Sequence, residues 1–479
     1  MIETLNIMLV MPEIFIAVMA MVFLMLGVFQ GNKSTDVLCW AASFCFVITS
    51  YLILQTNWDT QFALNNMLVI DSFSSVMKLI IIIGLIASLG LSVKYLHQER
   101  ISRFEYPVLM MFAGVGMMLM VSANNMLALY MGLELQSLSL YVLAAFHRNS
   151  LKSGEAAAKY FILGALSSGM LLFGISLIYG FVGSLDFATI QKTLSGLESV
   201  PPGFTVGMVF VLAALVFKIS AAPFHMWTPD VYQGAPTSIT AFFAIVPKVA
   251  ALALIIRLLY VPFAPVADQW TQILYFVSIM SLLFGAFAGI AQSNIKRLFA
   301  YSSIGNMGYV LIGLIAGTEL GVSSVIVFIL IYMIMTAGSF AVILCMRRDG
   351  IAVENISDLS GISKNQPILA YIMAALMFSM SGIPPFAGFF GKLFVFNAAV
   401  ASGHYTLAVI GVLASVVAAF YYLRIIKVMF FDEPAEPFDK EIDIEKRLVL
   451  LFSLAFIIGF IFKPMFVLSI AQSAASSLF

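Results

Sequence analysis

The chain has 479 residues, of which 62% are apolar and 10% are charged, and its 24 basic residues balance its 24 acidic residues. Soluble domains have about 45–50% apolar residues, so a soluble globule is excluded and a polytopic membrane protein is predicted. The zero net charge argues against a nucleic-acid partner. We expect the partners of this chain to lie in the bilayer.

The cysteines and histidines do not form a recognisable cofactor motif. Cys39, Cys45 and Cys345 lie in apolar runs without C-x-x-C spacing, and the four histidines are isolated from one another. The sequence also lacks a dinucleotide fingerprint. We therefore expect this chain to bind no metal, iron–sulfur cluster or organic cofactor itself.

Apolar blocks of about twenty residues follow one another along the chain, without the alternation typical of strands. Because a helix satisfies its own backbone polar groups, such blocks predict transmembrane helices. The first block contains Pro12 and Glu13 and indicates a retained span rather than a signal peptide. The fourteen predicted spans lie at about residues 8–29, 36–54, 71–94, 107–122, 125–146, 156–182, 205–223, 238–261, 270–291, 298–317, 321–346, 367–402, 405–430 and 447–471.

Basic residues are distributed unequally between the two sets of connecting segments. If the N-terminus faces outward, sixteen lysines and arginines fall on one side and Lys192 alone on the other. Short cytoplasmic loops are enriched in basic residues. We therefore expect both termini on the non-cytoplasmic side of a bacterial inner membrane or an equivalent energy-transducing membrane.

The remaining basic residues lie at membrane depth. A charged side chain there is costly, so by default it marks an ion or proton path or a partner to be found. These residues are Lys78, Lys159, Lys218, Lys248, Arg257, Lys392 and Lys463.

Two spans are predicted to be broken helices. A straight helix over residues 367–402 would be about 54 Å long, whereas the hydrocarbon core is about 30 Å thick. The sequence Gly382-Ile383-Pro384-Pro385 interrupts this span, and Pro223 interrupts the seventh span after Lys218. Both breaks contain a Pro-Phe pair.

Matched breaks in two halves of a membrane protein indicate an inverted repeat with a site near the midplane. The prediction is an all-α fold of about 14 helices, in which helices 7 and 12 are broken. Its parts are residues 1–106 (helices 1–3), 107–264 (a first five-helix repeat), 265–431 (a second, inverted repeat) and 432–479 (a loop and helix 14).

Lys218 has the strongest functional claim among the membrane-depth lysines. A desolvated lysine loses its proton easily and a nearby carboxylate restores it, so moving one partner switches its charge. Glu134, deep in the fifth span, is the predicted partner. A static ion pair that holds two helices together is the alternative.

Lys248 and Lys392 are candidate relay residues. Lys248 directly follows Pro247, whose missing N–H leaves a carbonyl free, and it is too far from either end of its span to snorkel. Lys392 follows the break in the twelfth span and is a candidate terminal proton site.

The other polar residues have stronger structural alternatives. His225 could bridge Lys218 to Lys248 or could cap a freed helix end. Lys159 follows Glu155 by four residues, so an interfacial pair competes with a relay role. Asp230 is expected to cap a short helix. Three basic residues are expected to snorkel or to lie at an interface, namely Lys78, Arg257 and Lys463.

Three long motifs resemble the antiporter-like membrane subunits of proton-pumping NADH:quinone oxidoreductase, respiratory complex I. They are FKISAAPFHMWTPDVYQGAPTSITAFFAIVPK from Phe217, QSNIKRLFAYSSIGNMGY from Gln292 and SGIPPFAGFFGKLFVF from Ser381. The resemblance covers almost the whole chain. A lysine at position 392 is typical of the N subunits of that family, and the end at Phe479 leaves no room for the lateral helix of the L subunits.

The resemblance implies a proton relay driven by quinone reduction elsewhere in a complex. The matching residues of the family's polar axis are Glu134, Lys218, Lys248, Lys392, His225 and Lys159. It also implies that NADH, FMN, iron–sulfur clusters and quinone bind to other subunits, so the chain belongs to an enzyme but carries no redox residues. Its partners would be other membrane subunits, including homologous antiporter-like ones, and lipids.

Two alternatives remain open at this point. One is a subunit of a multisubunit Na+/H+ antiporter, which shares the same motifs and works without redox input. The other is a structural scaffold in which the buried charges only fix helix packing.

Overall fold

The computed structural model describes residues 6–479, and its regular structure is mainly helical. The α-helices are α1 Met11–Gln30, α2 Thr35–Gln55, α3 Ser72–Gln98, α4 Glu105–Ser122, α5 Met126–Ala144, α6 Leu151–Val182, α7 Phe187–Ser195, α8 Pro202–Lys218, α9 Thr228–Gly234, α10 Thr237–Tyr260, α11 Ala267–Ile290, α12 Ile295–Ile315, α13 Glu319–Ile343, α14 Ile362–Asn365, α15 Pro367–Ser381, α16 Ala387–Ala401, α17 Tyr405–Phe431, α18 Ile444–Gly459 and α19 Pro464–Ser476.

Two small antiparallel hairpins lie between these helices. β1 (Gln61–Ala63) pairs with β2 (Leu68–Ile70), and β3 (Arg347–Arg348) pairs with β4 (Ile351–Ala352). Gln61 is opposite Ile70 in the first hairpin. The predicted all-α class is confirmed, since the strands are confined to connecting segments.

The helices fit a polytopic membrane protein. Within residues 6–479, ten helical stretches are long and apolar enough to cross a membrane, or eleven if the pair α18 and α19, bent by 92°, is one span. Three shorter apolar helices, α8, α15 and α16, flank the two predicted breaks. Each of the fourteen predicted blocks coincides with one or two helices, while the number of membrane crossings stays a prediction.

Three helices form the centre of the molecule. The most apolar part of α10 is 100% buried, and those of α12 and α13 are each 94% buried. A helix that is apolar on all sides is expected to be surrounded by other helices. The outer helices α1, α2, α6 and α17 instead expose many large apolar side chains, as expected for surfaces that face lipid or another subunit.

The two predicted interruptions have the same backbone geometry. Just beyond the ends of α8 and α15, Ser220 and Gly382 adopt a left-handed backbone conformation with φ of 63° and 84°. Each helix therefore ends in a Schellman motif. At the end of α8, the N–H groups of Ser220 and Ala221 donate to the carbonyls of Phe217 and Val216, each at 3.0 Å. At the end of α15, Gly382 donates to Ser379 at 3.0 Å and Ile383 donates to Phe378 at 3.1 Å.

A second set of backbone bonds also recurs between the two halves. The segment before α5 is joined to the segment after α6, and the segment before α12 is joined to the segment after α13. The bonds are Met126 N–H to Leu185 O (2.9 Å), Phe187 N–H to Asn124 O (3.2 Å), Ile295 N–H to Glu354 O (2.8 Å) and Ile356 N–H to Ser293 O (2.9 Å). These matched contacts favour repeats at 107–264 and 265–431, a division that stays a prediction.

Lys78 and Arg257, which were expected to snorkel or to lie at an interface, are both buried in ion pairs, so neither of them snorkels. Lys78 lies 2.6 Å from the Glu13 carboxylate, and both side chains are 4% exposed. Arg257 donates to both oxygens of Asp71 at 2.8 and 2.9 Å. Buried charges are stable when they are paired, and these pairs join α3 to α1 and to α10. Glu13 and Asp71 are thus buried acidic residues, in addition to the partly buried Glu134.

Candidate functional site: a polar path through the central helices

Lys218 is the last residue of α8 and contacts hydroxyl groups of α5. Its Nζ donates to Ser137 Oγ at 2.8 Å and to the Tyr141 hydroxyl at 3.3 Å. The Glu134 carboxylate, on the same helix, accepts a hydrogen bond from Ser168 of α6. Within residues 6–479, no direct ion pair joins Lys218 to Glu134. Hydroxyl groups of Ser137, Tyr141 and Ser168 contact the two charged side chains, and the pairing of Lys218 with Glu134 stays a prediction.

Lys248 lies in the centre of the molecule. It is 1% exposed, and its Nζ donates to Ser303 of α12, which also accepts a bond of 2.7 Å from the Tyr332 hydroxyl of α13. Its Nζ lies 5.5 Å from the centre of the Tyr232 ring. In the described chain Lys248 has no carboxylate within ion-pair distance, so its contacts are neutral hydroxyls and an aromatic ring.

Lys392 lies in α16 and reaches back across the break. Its Nζ donates to the carbonyls of Met380 and Ser381, at the end of α15, at 3.1 and 3.2 Å, and to Ser415 Oγ at 2.8 Å. The last carbonyls of a helix lack partners within the helix and attract cations. The Tyr309 ring centre lies 5.0 Å from Nζ. The break thus creates the carbonyl site that holds this lysine.

α12 connects the surroundings of Lys248 and Lys392. Ser303 contacts Lys248, and Tyr309, further along the same helix, packs against Lys392. Between them, the Asn306 amide donates to the Ser302 carbonyl at 2.9 Å. A cavity of about 10 Å³ is lined by Ser302, Asn306, Tyr309 and Lys392, among others, which is close to the space that one water molecule requires.

Lys159 lies at one end of this region, in an ion cluster that is partly exposed. Its Nζ lies 2.8 Å from Glu155 and 2.7 Å from Asp230, and its side chain is 41% exposed. Asp230 also accepts from Arg297 at 2.6 Å. The expected pair with Glu155 is therefore present. Asp230 does not cap α9, because Trp227 occupies the N-cap position and no side chain caps the first turn of the helix.

His225 lies in the segment between α8 and α9. Its ring packs against Phe284, with ring centres 5.0 Å apart, and within residues 6–479 its buried Nδ1 has no hydrogen-bond partner. Among the described residues, the bonds of Lys218 and Lys248 go to hydroxyl groups and not to this ring. The bridging role expected of His225 therefore remains a prediction.

A polar cavity near the basic loops contains a pair that the sequence interpretation missed. The cavity has a volume of about 540 Å³. The tenth predicted span begins only at about residue 298, but Lys296 lies in the first turn of α12, where its side chain is 3% exposed and 2.6 Å from Glu354. It also donates to the Ala235 carbonyl at 3.2 Å. Asn294, which caps α12, is the sequence signal that would have placed Lys296 inside the helix.

The fold and the site define a polytopic membrane protein with a lysine and hydroxyl path through its central helices. The chain belongs to the NADH:quinone oxidoreductase/Mrp antiporter transmembrane family, whose model matches residues 123–418. The predicted family is confirmed.

Individual relatives agree with this assignment over almost their whole length. The NADH-quinone oxidoreductase subunit N of Paramagnetospirillum magneticum is 49% identical over 100% of this chain and 99% of the relative. The subunit N of Parvibaculum lavamentivorans is 53% identical over 98% of this chain and 97% of the relative.

Solved structures match the fold. A chain of respiratory complex I from Thermus thermophilus is 30% identical, with a TM-score of 0.82 over 96% of this chain and 99% of that chain. A chain of the Mrp complex from Dietzia sp. DQ12-45-1b has a TM-score of 0.85 over 98% of this chain and 97% of that chain. The two sequences are 21% identical, so this match shows the fold alone.

Proposed function

We propose that this chain is the proton-translocating, N-type membrane subunit of NADH:quinone oxidoreductase. The observation that carries the proposal is the presence of Lys248 and Lys392 deep in the molecule, each bonded to neutral oxygens rather than to a carboxylate. A lysine without a fixed counter-charge inside a membrane is a candidate for reversible protonation. Two relatives with 49% and 53% sequence identity, both named NADH-quinone oxidoreductase subunit N, support the assignment.

Protons move from Lys218 to Lys248 and then to Lys392. Each lysine takes up a proton on its amine, is held by the surrounding hydroxyls while charged, and passes the proton on when the next amine is free. His225 and ordered water complete the step between Lys218 and Lys248. The polar face of α12 guides the next step, because Ser303 and Tyr309 contact the two lysines in turn.

Uptake takes place on the side of the basic loops. The polar cavity above Lys296 opens there, and the cluster of Lys159 and Asp230 lies close to the same segments, since Gln233 and Gly234 line the cavities beside both. Release from Lys392 is directed to the opposite side. This arrangement agrees with both termini on the non-cytoplasmic face of a bacterial inner membrane.

The driving reaction takes place in other subunits of the complex. NADH, FMN, iron–sulfur clusters and quinone are bound there, and this chain contributes translocation without redox residues of its own. The neighbours are other membrane subunits, including homologous antiporter-like ones, and lipids. The large apolar side chains exposed on α1, α2, α6 and α17 suit such contacts.

The alternative hypothesis, a Na+/H+ antiporter subunit, is based on the fold that this chain shares with a chain of the Mrp complex. Purification in mild detergent separates the two functions. An N-type subunit is expected to come with peripheral NADH-oxidising subunits, whereas an Mrp-type subunit is expected to come without them.

The scaffold reading is disfavoured by a contrast within the molecule. Where charges join helices, as in Lys78–Glu13 and Arg257–Asp71, each cation has a carboxylate within 3 Å. Lys248 and Lys392 lack such a partner among the described residues. A purely structural role would not require two unpaired lysines in the core.

Lys218→Ala in the assembled complex tests the proposal. We expect NADH oxidation to continue with fewer protons translocated per electron, measured in membrane vesicles. Lys463→Ala, at an exposed lysine between α18 and α19, is the control. An assembled Lys218→Ala complex with the normal ratio of protons to electrons would exclude the relay role.

A further inference from the structure

The space between Lys218 and Glu134 is occupied by hydroxyl groups. Lys218 donates to Ser137 and Tyr141, and Ser168 donates to Glu134. The Tyr141 hydroxyl packs against Gly164 of α6, one helical turn before Ser168 on the same face of that helix. Transfer between the two charges therefore requires either a large movement or a group that carries the proton between them.

Tyr141 is positioned by tight packing. The residue is 6% exposed, and its ring makes edge contacts with Tyr160 and Phe161 at centre distances of 4.9 and 5.7 Å. Gly164 of α6 leaves the space for the hydroxyl, because a Cβ at that position would lie 2.0 Å from the Tyr141 oxygen. The backbone of α6 thus holds this hydroxyl next to Lys218.

The two hydroxyls that accept from Lys218 differ in what they do with their own protons. Ser137 Oγ donates to the Leu133 carbonyl at 2.7 Å, which is the usual bond of a serine inside a helix. Tyr141, in contrast, donates no hydrogen bond to a backbone carbonyl within the described residues. Its proton is therefore not held by the backbone, and Ser168, one turn after Gly164 on α6, is the hydroxyl on that face that contacts Glu134.

We propose, on the basis of the function proposed above, that Tyr141 and Ser168 form a hydroxyl relay that carries protons between Lys218 and Glu134. An N–H bond of the Lys218 ammonium breaks as an O–H bond forms on Tyr141. The original Tyr141 proton moves to Ser168, whose own proton moves to Glu134.

The transfer is balanced and reversible. A charged pair becomes a neutral amine and a neutral carboxylic acid, both hydroxyls are restored, and as many bonds to hydrogen form as break. The relay thereby changes the charge of Lys218 without moving either helix.

Tyr141→Phe tests the relay, because it keeps the ring contacts and removes only the hydroxyl. We expect the assembled complex to oxidise NADH with protons translocated per electron reduced to the level of Lys218→Ala. The solvent deuterium isotope effect on pumping should also change, which a packing defect would not cause. Tyr160→Phe is the control, since that hydroxyl makes no hydrogen bond among the described residues and should leave both values normal.

Gly164→Ala tests the same hydroxyl from the opposite side. The added methyl group must displace Tyr141 from Lys218, so we expect the same loss of pumping. Gly169→Ala is the matched control on α6, because a Cβ there meets nothing within 4 Å. Combining Gly164→Ala with Tyr141→Phe should cause no further loss of pumping, because both substitutions disable the same hydroxyl relay.

Three outcomes separate the possibilities. If Lys218→Ala lowers pumping and Tyr141→Phe does not, the relay is wrong and the proposed function stands. If Lys218→Ala has no effect in an assembled complex, the proposed function itself fails. If Tyr141→Phe lowers assembly and pumping in equal proportion, with an unchanged isotope effect, Tyr141 is structural and the relay is overturned.

Discussion

At the scale of single residues, the buried lysines fall into two groups. Lys78 and Lys296 have carboxylate partners at 2.6 Å. Lys248 and Lys392 are surrounded by hydroxyls, carbonyls and aromatic rings. A carboxylate at contact distance holds a lysine in its charged form, whereas neutral acceptors allow both forms. The second group is therefore suited to transient protonation.

Lys248→Arg separates the need for charge from the need for proton exchange. Arginine stays protonated because its pKa lies above about 12 in proteins. We expect a complex that assembles and oxidises NADH but translocates fewer protons per electron. The measurement is the ratio of proton uptake to NADH oxidation in vesicles. A normal ratio would mean that Lys248 acts only as a fixed charge.

Asp71→Asn is expected to affect stability rather than pumping. The change leaves the 3% exposed Arg257 without its partner, and breaking a buried pair typically costs about 3–5 kcal/mol. We expect a lower unfolding temperature and less assembled complex on native gels. Asp59→Asn, at an exposed position, should leave both unchanged. Equal stability of the two variants would contradict a clamping role for Asp71.

At the scale of helices, the sequence predicted the breaks but not what they accomplish. Proline and glycine are strong local signals, so the interruptions near Pro223 and Gly382 could be found by inspection. That Lys392 bonds to the carbonyls at the end of α15 could not be predicted, because it depends on how two half-helices face each other. Asp71 and Arg257 meet although they are 186 residues apart, and one sequence carries no such pairing information.

Gly382→Ala tests the geometry of the second break. The φ of 84° is unfavourable for a residue with a Cβ by about 1–2 kcal/mol. The added atom would also lie 3.0 Å from the Lys392 side chain. We expect reduced stability together with impaired pumping, measured by thermal unfolding and proton uptake.

Gly459→Ala provides the comparison for this change. The added Cβ meets nothing within 4 Å and the backbone there is helical, so no loss is expected. If Gly382→Ala behaved like Gly459→Ala, the break would not position Lys392.

At the scale of the whole molecule, the path runs through the most buried helices. α10 carries Lys248, α12 carries Ser303, and α13 carries Tyr332, which donates to that serine. The sequence identified the lysines because isolated charges in apolar spans are conspicuous. It did not identify the α12 residues, because single serines and asparagines are common in helices and only their shared face shows the path.

The relay account makes the lysines members of one series. In a series, one blocked step stops all transport through the subunit, so further blocks add nothing. Independent sites would instead lose activity in proportion to the number of lysines removed. The two possibilities can therefore be distinguished by combining substitutions in the same chain.

The most direct measurement is the number of protons translocated per NADH oxidised by complexes carrying Lys248→Met, Lys392→Met and both together, each checked for assembly. Methionine keeps most of the side-chain volume and removes the titratable amine. The relay account predicts one lowered ratio, the same for all three variants. Ratios equal to that of the unmodified complex, or a double variant with twice the loss of either single one, would contradict it.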